Sequence, residues 1–229
     1  MALNSTVLER LHVTNRHFYN AEYLTLLAKN CCNSLISLKI GPCYLSKLGG
    51  AFRYAVKLQH FGGYIFDKES ELVGFQFPPN TRSLSMKGVL VTKHTTVLPF
   101  LNQIRKLKSL CISLWHGGFT DVGLEYIRKY GANLRSLTLA GTGKSNAGLV
   151  KLSEGCPRLR KLKLWGCPFS KQVVASSVFN IQSLRTINRG KSRTFDSMMK
   201  VSKRWSKPCN LGRVHCECGT RGCIGKTGD

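Results

Sequence analysis

Residues 134–166 read LRSLTLAGTGKSNAGLVKLSEGCPRLRKLKLWG. The pattern L-x-x-L-x-L occurs twice in this stretch, at Leu134, Leu137, Leu139 and at Leu159, Leu162, Leu164, so one unit recurs after 25 residues. Side chains alternate across a strand, which turns the leucines of LRSLTLA to one side and Ser136, Thr138 and Ala140 to the other. In the next copy the same alternation exposes Lys161, Lys163 and Trp165. Between the two patterns, NAGLVKLSEGC spaces its apolar residues as a helix does. One unit therefore reads strand, turn, helix, and a unit this small buries its apolar face only against a neighbour.

Weaker copies extend the pattern in both directions. They are Leu35, Leu38, Ile40, then Leu107, Leu110, Ile112, then Leu184, Ile187, with degenerate copies beginning at Leu58 and at Thr81 (Leu84, Met86). The starting positions 35, 58, 81, 107, 134, 159 and 184 are separated by 23, 23, 26, 27, 25 and 25 residues, which is leucine-rich-repeat spacing. AEYLTLLAKNC, DVGLEYIRKYG and KQVVASSVFNI are further helical segments, and Asp121 and Asn146 stand where a capping side chain would accept hydrogen bonds from the first helical turn. The expected fold is α/β, a leucine-rich-repeat solenoid or horseshoe of about seven strand-turn-helix repeats whose stacked strands form a concave binding wall. The expected organisation is a partial repeat or cap over residues 1–20, repeats over 21–190, and a basic, partly disordered, cysteine-containing tail over 191–229.

The chain has 229 residues, 42% hydrophobic and 20% charged, and a formal charge of +24. That apolar fraction excludes a disordered polycation. No apolar run approaches the ~18 residues of a membrane span, and MALNSTVLERLHVTNRHFYN lacks the apolar block of a signal peptide. A soluble protein of nucleus or cytoplasm is expected, with its ten cysteines reduced. Cys31 and Cys43 bracket one strand and Cys156 and Cys167 another, so these cysteines read as small buried hydrophobes, not as metal ligands.

The stretch GGFTDVGLEYIRKYGANLRSLTLAGTGKSNAGLVKLSEGCPRLRKLKLWGCPFS, residues 117–170, resembles the C-terminal repeats of the plant coronatine-insensitive family of F-box proteins, the jasmonate receptors. A second stretch, from LAKNCCNSLISLKIG near Ala28 to PFLNQIRKL at Leu107, resembles the family's middle repeats. The resemblance implies a substrate- and hormone-recognition domain of a Skp1-cullin-F-box ubiquitin ligase, with jasmonate-pathway repressors as protein partners. It also departs from the family. Residues 1–20 do not resemble an F-box, so a Skp1-type adaptor is not an expected partner, and family repeats are missing at a join near Arg105 to Ser109. A pocket tyrosine of the family falls at Ser113, an arginine at Trp165 and a tryptophan at Asn188. Arg185 matches an arginine near the basic floor beneath the pocket. A carboxylate hormone needs fixed cationic donors, so hormone binding in the family's manner is not expected.

No enzyme constellation is present in the sequence. His12, His17, His60, His94, His116 and His215 show no paired metal-ligand spacing, and neither a G-x-S-x-G elbow nor a phosphate loop occurs. The tail offers Cys209, His215, Cys216, Cys218 and Cys223 as zinc ligands, without the usual paired spacing, and an unstructured end is the favoured alternative. Residues 155–229 hold 16 of the Lys and Arg with three acids. Lys39, Lys87, Lys161 and Lys163 fall at or beside outward strand positions, which predicts a basic concave stripe that draws polyanions. Inositol phosphate is the polyanion the resemblance implies. Nucleic acid is the generic alternative and not the leading one, because Trp165 is the clearest interleaved aromatic. A non-catalytic protein-binding module without intact hormone binding is the leading expectation. A polyanion binder, or a nonfunctional duplicate, is the alternative.

Overall fold

The computed structural model describes residues 6–13, 20–65, 75–89, 102–114 and 119–189. Eight strands form one sheet: β1 (Arg10–Val13), β2 (Ser37–Cys43), β3 (His60–Ile65), β4 (Ser83–Val89), β5 (Ser109–Leu114), β6 (Ser136–Ala140), β7 (Lys161–Trp165) and β8 (Thr186–Arg189). Every neighbouring pair is parallel and the spatial order is the sequence order. Helices alternate with the strands: α1 (Ala21–Asn30), α2 (Gly49–Tyr54), α3 (Asp121–Tyr130), α4 (Asn146–Gly155) and α5 (Lys171–Asn180). Two tight 3-10 turns, Leu45–Leu48 and Asn102–Lys106, complete the described connections. This is an α/β arrangement compatible with a leucine-rich-repeat solenoid.

The leucine pattern sets the register. Leu38, Phe61, Leu84, Leu110, Leu137, Leu162 and Ile187 are successive partners across the sheet, and so are Ile40, Gly63, Met86, Ile112, Leu139 and Leu164. Apart from the half-buried Ile187 and the glycine, these side chains are buried in one continuous core beneath the helices. Burying each contributes about 1.5–3 kcal/mol. β1 is a strand that the seven starting positions leave out. Leu8, Leu11 and Val13 carry the same spacing 27 residues before Leu35, and Leu8 and Leu11 pack against the core.

The degenerate third repeat is held by compensation. Gly63 stands where its neighbours carry Ile40 and Met86, and the space a side chain would take is closed by the Phe61 ring and Cys43 Sγ. Phe61 also meets Phe52 edge-on at 5.1 Å and lies 5.9 Å from Phe77, so an aromatic cluster substitutes for missing aliphatic bulk. The stacking passes through the expected join without a break, with Lys108 and Ser109 N–H both donating to Arg82 C=O.

That last contact belongs to a ladder. Ile36 and Ser37 N–H donate to Glu9 C=O, Gln59 and His60 to Ile36, Arg82 and Ser83 to Gln59, and Arg135 and Ser136 to Lys108. Arg160 and Lys161 donate in turn to Arg135, and Arg185 and Thr186 to Arg160. Polar side chains just before each pattern add to it: Ser34 Oγ donates to Leu8 C=O, Asn80 Nδ2 to Val56, Asn133 Nδ2 to Arg105 and Ser183 Oγ to Leu159.

Asp121 and Asn146 do not cap their own helices, contrary to the sequence reading. Thr120 and Ser145 are the residues at the N-cap positions, and neither caps through its side chain. The two side chains reach forward one repeat instead. Asp121 Oδ1 accepts from Lys144 and Ser145 N–H at 2.8 and 3.2 Å, and its Oδ2 from Ser145 Oγ at 2.6 Å. Asn146 Oδ1 accepts from Ser170 N–H at 2.8 Å. The carboxylate of Asp121 sits against Gly148, where any side chain would displace it. Burial opposes ionisation of Asp121, but the Ser145 hydroxyl, the two backbone N–H groups and the Lys144 charge together hold its pKa below the usual value.

Two outcomes check this construction. Leu137 is fully buried, so Leu137→Ala lowers unfolding free energy by about 2–5 kcal/mol in a denaturant titration. A loss below about 0.5 kcal/mol, the range of surface sites, contradicts the register. Because Asp121 has a lower pKa folded than unfolded, its contribution is complete at neutral pH and is lost as pH falls below about 4 and through the folded pKa. The stability gap between the parent chain and Asp121→Ala therefore narrows as pH falls from about 5 through the folded pKa, and a gap independent of pH contradicts the carboxylate's role.

Candidate functional site

The strand face opposite the core is a wall of three rungs. On the middle rung His12, Lys39, Gly62, Ser85, Cys111, Thr138, Lys163 and Asn188 are successive partners. The rung on the N-terminal side carries Ser83, Ser109 and Ser136 at its centre and Lys161 near its end. The third rung aligns Lys87, Ser113, Ala140 and Trp165. Its burial alternates with the core: Ser136, Thr138 and Ala140 are half-exposed where Leu137 and Leu139 are sealed.

This register distributes the expected basic stripe. Lys39 on β2 and Lys163 on β7 lie five strands apart, about 24 Å at ~4.8 Å per strand. Between them the middle rung is uncharged. Lys39 leans across Gly62, its Cγ lying 3.5 Å from where a side chain at that glycine would start. Lys161, Lys163 and Trp165 alternate along one strand with Asn188 beside Lys163, so four of the predicted residues gather at the β7–β8 end. Arg185 joins them at the entry to β8, and Ser113 stands two strands away from Trp165 on the third rung. Trp165 is 37% exposed, offering an open indole at that end.

The wall therefore has two chemistries. Its centre, Ser83, Ser85, Ser109, Cys111, Ser136 and Thr138, presents hydroxyls and a thiol on short side chains, able to hydrogen-bond a partner that approaches the sheet closely. Its β7–β8 end presents Lys161 and Lys163 together with Arg185 and Trp165, and Arg and Trp are residue types that anchor protein interfaces. The cysteines that bracket β2 and β7 are free thiols. Cys31, Cys43 and Cys156 are buried, and Cys167 Sγ contacts Leu139 and Trp165 C=O at 3.6 and 3.5 Å. Burial pushes the Cys156 thiol up to about 12.

Among the described residues no group of three or more His, Cys, Asp and Glu could hold a metal ion. The tail set Cys209, His215, Cys216, Cys218 and Cys223 lies outside the described residues. No described helix is long and apolar enough to cross a membrane.

A second row of side chains escaped the sequence reading apart from its last member. Arg82, Lys108, Arg135, Arg160 and Arg185 each follow the first residue of a repeat, and each is exposed at the edge where its strand begins. Reading the second position of every L-x-x-L-x-L copy would have found them. Reading only strand positions did not.

No family model matches the chain. The chain is 41% identical to Coronatine-insensitive protein 1 of Arabidopsis thaliana over 97 residues, 39% of this chain and 16% of that protein. It is 31% identical to Coronatine-insensitive protein homolog 2 of Oryza sativa over 132 residues, 58% of this chain and 20% of that protein. F-box protein FBX14 of Arabidopsis thaliana matches at 34% over 83 residues, 36% of this chain and 13% of that protein. The chain spans a fifth or less of the length of these curated relatives.

Thiol chemistry reads the wall directly. At about pH 8 the Cys156 thiol is almost wholly protonated and sealed, so iodoacetamide leaves it unmodified in the folded chain while half-exposed Cys111 is alkylated. Peptide mass mapping distinguishes the two, and equal labelling contradicts the burial pattern.

Proposed function

We propose that this chain is a non-catalytic leucine-rich-repeat module that binds proteins on the concave wall, with jasmonate-pathway repressors as the partners. One observation carries the reading: a parallel sheet whose leucines face the core leaves a middle rung that is uncharged from Gly62 to Thr138, flanked on that rung by Lys39 and Lys163, with Lys87 and Trp165 on the rung beside it. Similarity to two proteins named coronatine-insensitive supports the choice of partner class. Ser113, Trp165 and Asn188 replace the pocket residues that the resemblance implies, and none of the three supplies a cation to a carboxylate hormone. Binding is therefore hormone-independent. The place of action is the nucleus or cytoplasm, and the 21–190 segment is the binding unit. Whether an inositol phosphate adds to the wall is decided by the same experiment run with and without it.

The test is retention of a repressor by the immobilised full chain, with and without coronatine. Retention is expected in both conditions. Thr138→Arg, which extends the charge at Lys163 onto the neutral rung, lowers retention at least about tenfold without unfolding the chain, since Thr138 is half-exposed. No retention in either condition overturns the reading.

A further inference from the structure

Five consecutive strands, β4 to β8, are each preceded by an exposed cation at the same structural position: Arg82, Lys108, Arg135, Arg160 and Arg185. The earlier repeats place Glu9, Ile36 and Gln59 there. The backbone ladder fixes the row, because the C=O of each of the first four cations accepts the N–H of the next. Neighbours are thus held about 4.8 Å apart along the ladder and the row spans about 19 Å. None of the five enters an ion pair among the described residues, whereas Arg128–Glu154 and Lys151–Glu125 join α3 to α4. Beside the row, Lys106 and Arg158 stand just before two of the repeats. With Arg82, Lys108, Asn133 and Arg135 they line an open groove of about 440 Å³ that contains no carboxylate.

We infer that this strand-entry rim is a docking surface for an extended acidic polypeptide segment, a run of Asp or Glu laid along the row from Arg82 to Arg185. The inference rests on reading the chain as a protein-binding module and names a surface apart from the concave wall. Three features favour this occupant. The row is linear and continues beyond the groove by two strands, so a compact polyphosphate seated in the groove leaves Arg160 and Arg185 unengaged. Of the neutral polar side chains of the groove, Asn80 and Asn133 are committed to Val56 and Arg105 C=O and to Arg158, and Thr81 is buried, which leaves the cations as the exposed recognition elements. No aromatic side chain lines the groove, so single-stranded nucleic acid lacks a stacking platform there. An extended chain advances ~3.3 Å per residue, so alternate carboxylates recur every ~6.6 Å and a peptide of about eight residues covers the row. Guanidinium groups meet carboxylates in paired hydrogen bonds.

The test is fluorescence anisotropy with the full chain and a labelled peptide of about eight residues alternating Glu and Gly. The peptide binds the parent chain, and the affinity falls as salt rises. A variant combining Lys108→Gln, Arg135→Gln and Arg160→Gln binds about tenfold more weakly, the order that three exposed ion pairs supply together. A control combining Lys29→Gln, Lys47→Gln and Arg53→Gln, with the same charge change away from the rim, stays within about twofold. Circular dichroism confirms that both variants fold. Equal affinity of the rim variant and the parent overturns the inference. So does tighter binding of inositol hexakisphosphate or of an RNA oligonucleotide that displaces the peptide. Thr138→Arg leaves peptide affinity unchanged, so failure of the rim and failure of the concave wall are separately visible.

Discussion

The structure depends on one hydrogen-bond motif repeated seven times. At each strand entry a single backbone C=O, from Glu9 through Arg160, accepts two successive N–H groups of the following repeat. A carbonyl has two lone pairs, and using both fixes the position and the orientation of the incoming strand together. Register follows from that geometry, and in a sheet with one buried face register decides everything else. A slip of one residue would send Leu137 and Leu139 to the open side and Thr138 into the core. Repeats of 23 to 27 residues can stack on one another only because the variation in length is taken up elsewhere, in the turns and helices.

The leucine spacing made the sheet readable before any coordinates, because a buried parallel strand advertises itself through its apolar residues. Four of the five described helices fall where helical periodicity placed them, over AEYLTLLAKN, DVGLEYIRKY, NAGLVKLSEG and KQVVASSVFN. The reading missed what depends on neighbours in space. A carboxylate at a helix start looks like a cap whether it bonds its own helix or the next repeat, and only packing decides in favour of the latter for Asp121. Phe61 filling the place of an absent side chain at Gly63 is likewise a three-dimensional fact. β1 falls in the stretch read only as a partial repeat or cap, and its starting position went uncounted because Leu8, Leu11 and Val13 form a short copy beside a stretch without further repeat signals.

The candidate surface was partly readable for the same reason. Alternation alone places Lys161, Lys163 and Trp165 on the open face, and the structure has them there. Alternation says nothing about which strands are neighbours across several repeats, so it could not show that Lys39 and Lys163 are separated by an uncharged stretch of the middle rung. The middle rung is consequently a surface for close approach at its centre and for charge towards its ends, with Lys87 on the rung beside it. A basic chain need not be basic where its sheet is most open.

The rim sharpens what the charge of +24 means. Like charges on adjacent strands repel, and directly opposed pairs destabilise a sheet by about 0.2–1 kcal/mol each. Exposure and salt reduce that cost without reversing its sign, since ~4.8 Å spacing is well inside the ~8 Å screening length at physiological ionic strength. A row from Arg82 to Arg185 is thus a small, cumulative burden on the fold, and the ladder does not need it: Glu9, Ile36 and Gln59 occupy the same position and make the same backbone bonds. Side-chain identity there is free of structural demands. An opposing anion turns the repulsion into attraction, because each cation brought to the rim by the backbone is already in place when a carboxylate arrives. The backbone of the row is preorganised by the same bonds that stack the repeats, so binding along it orders side chains alone, at about 0.5–1.5 kcal/mol for each one immobilised.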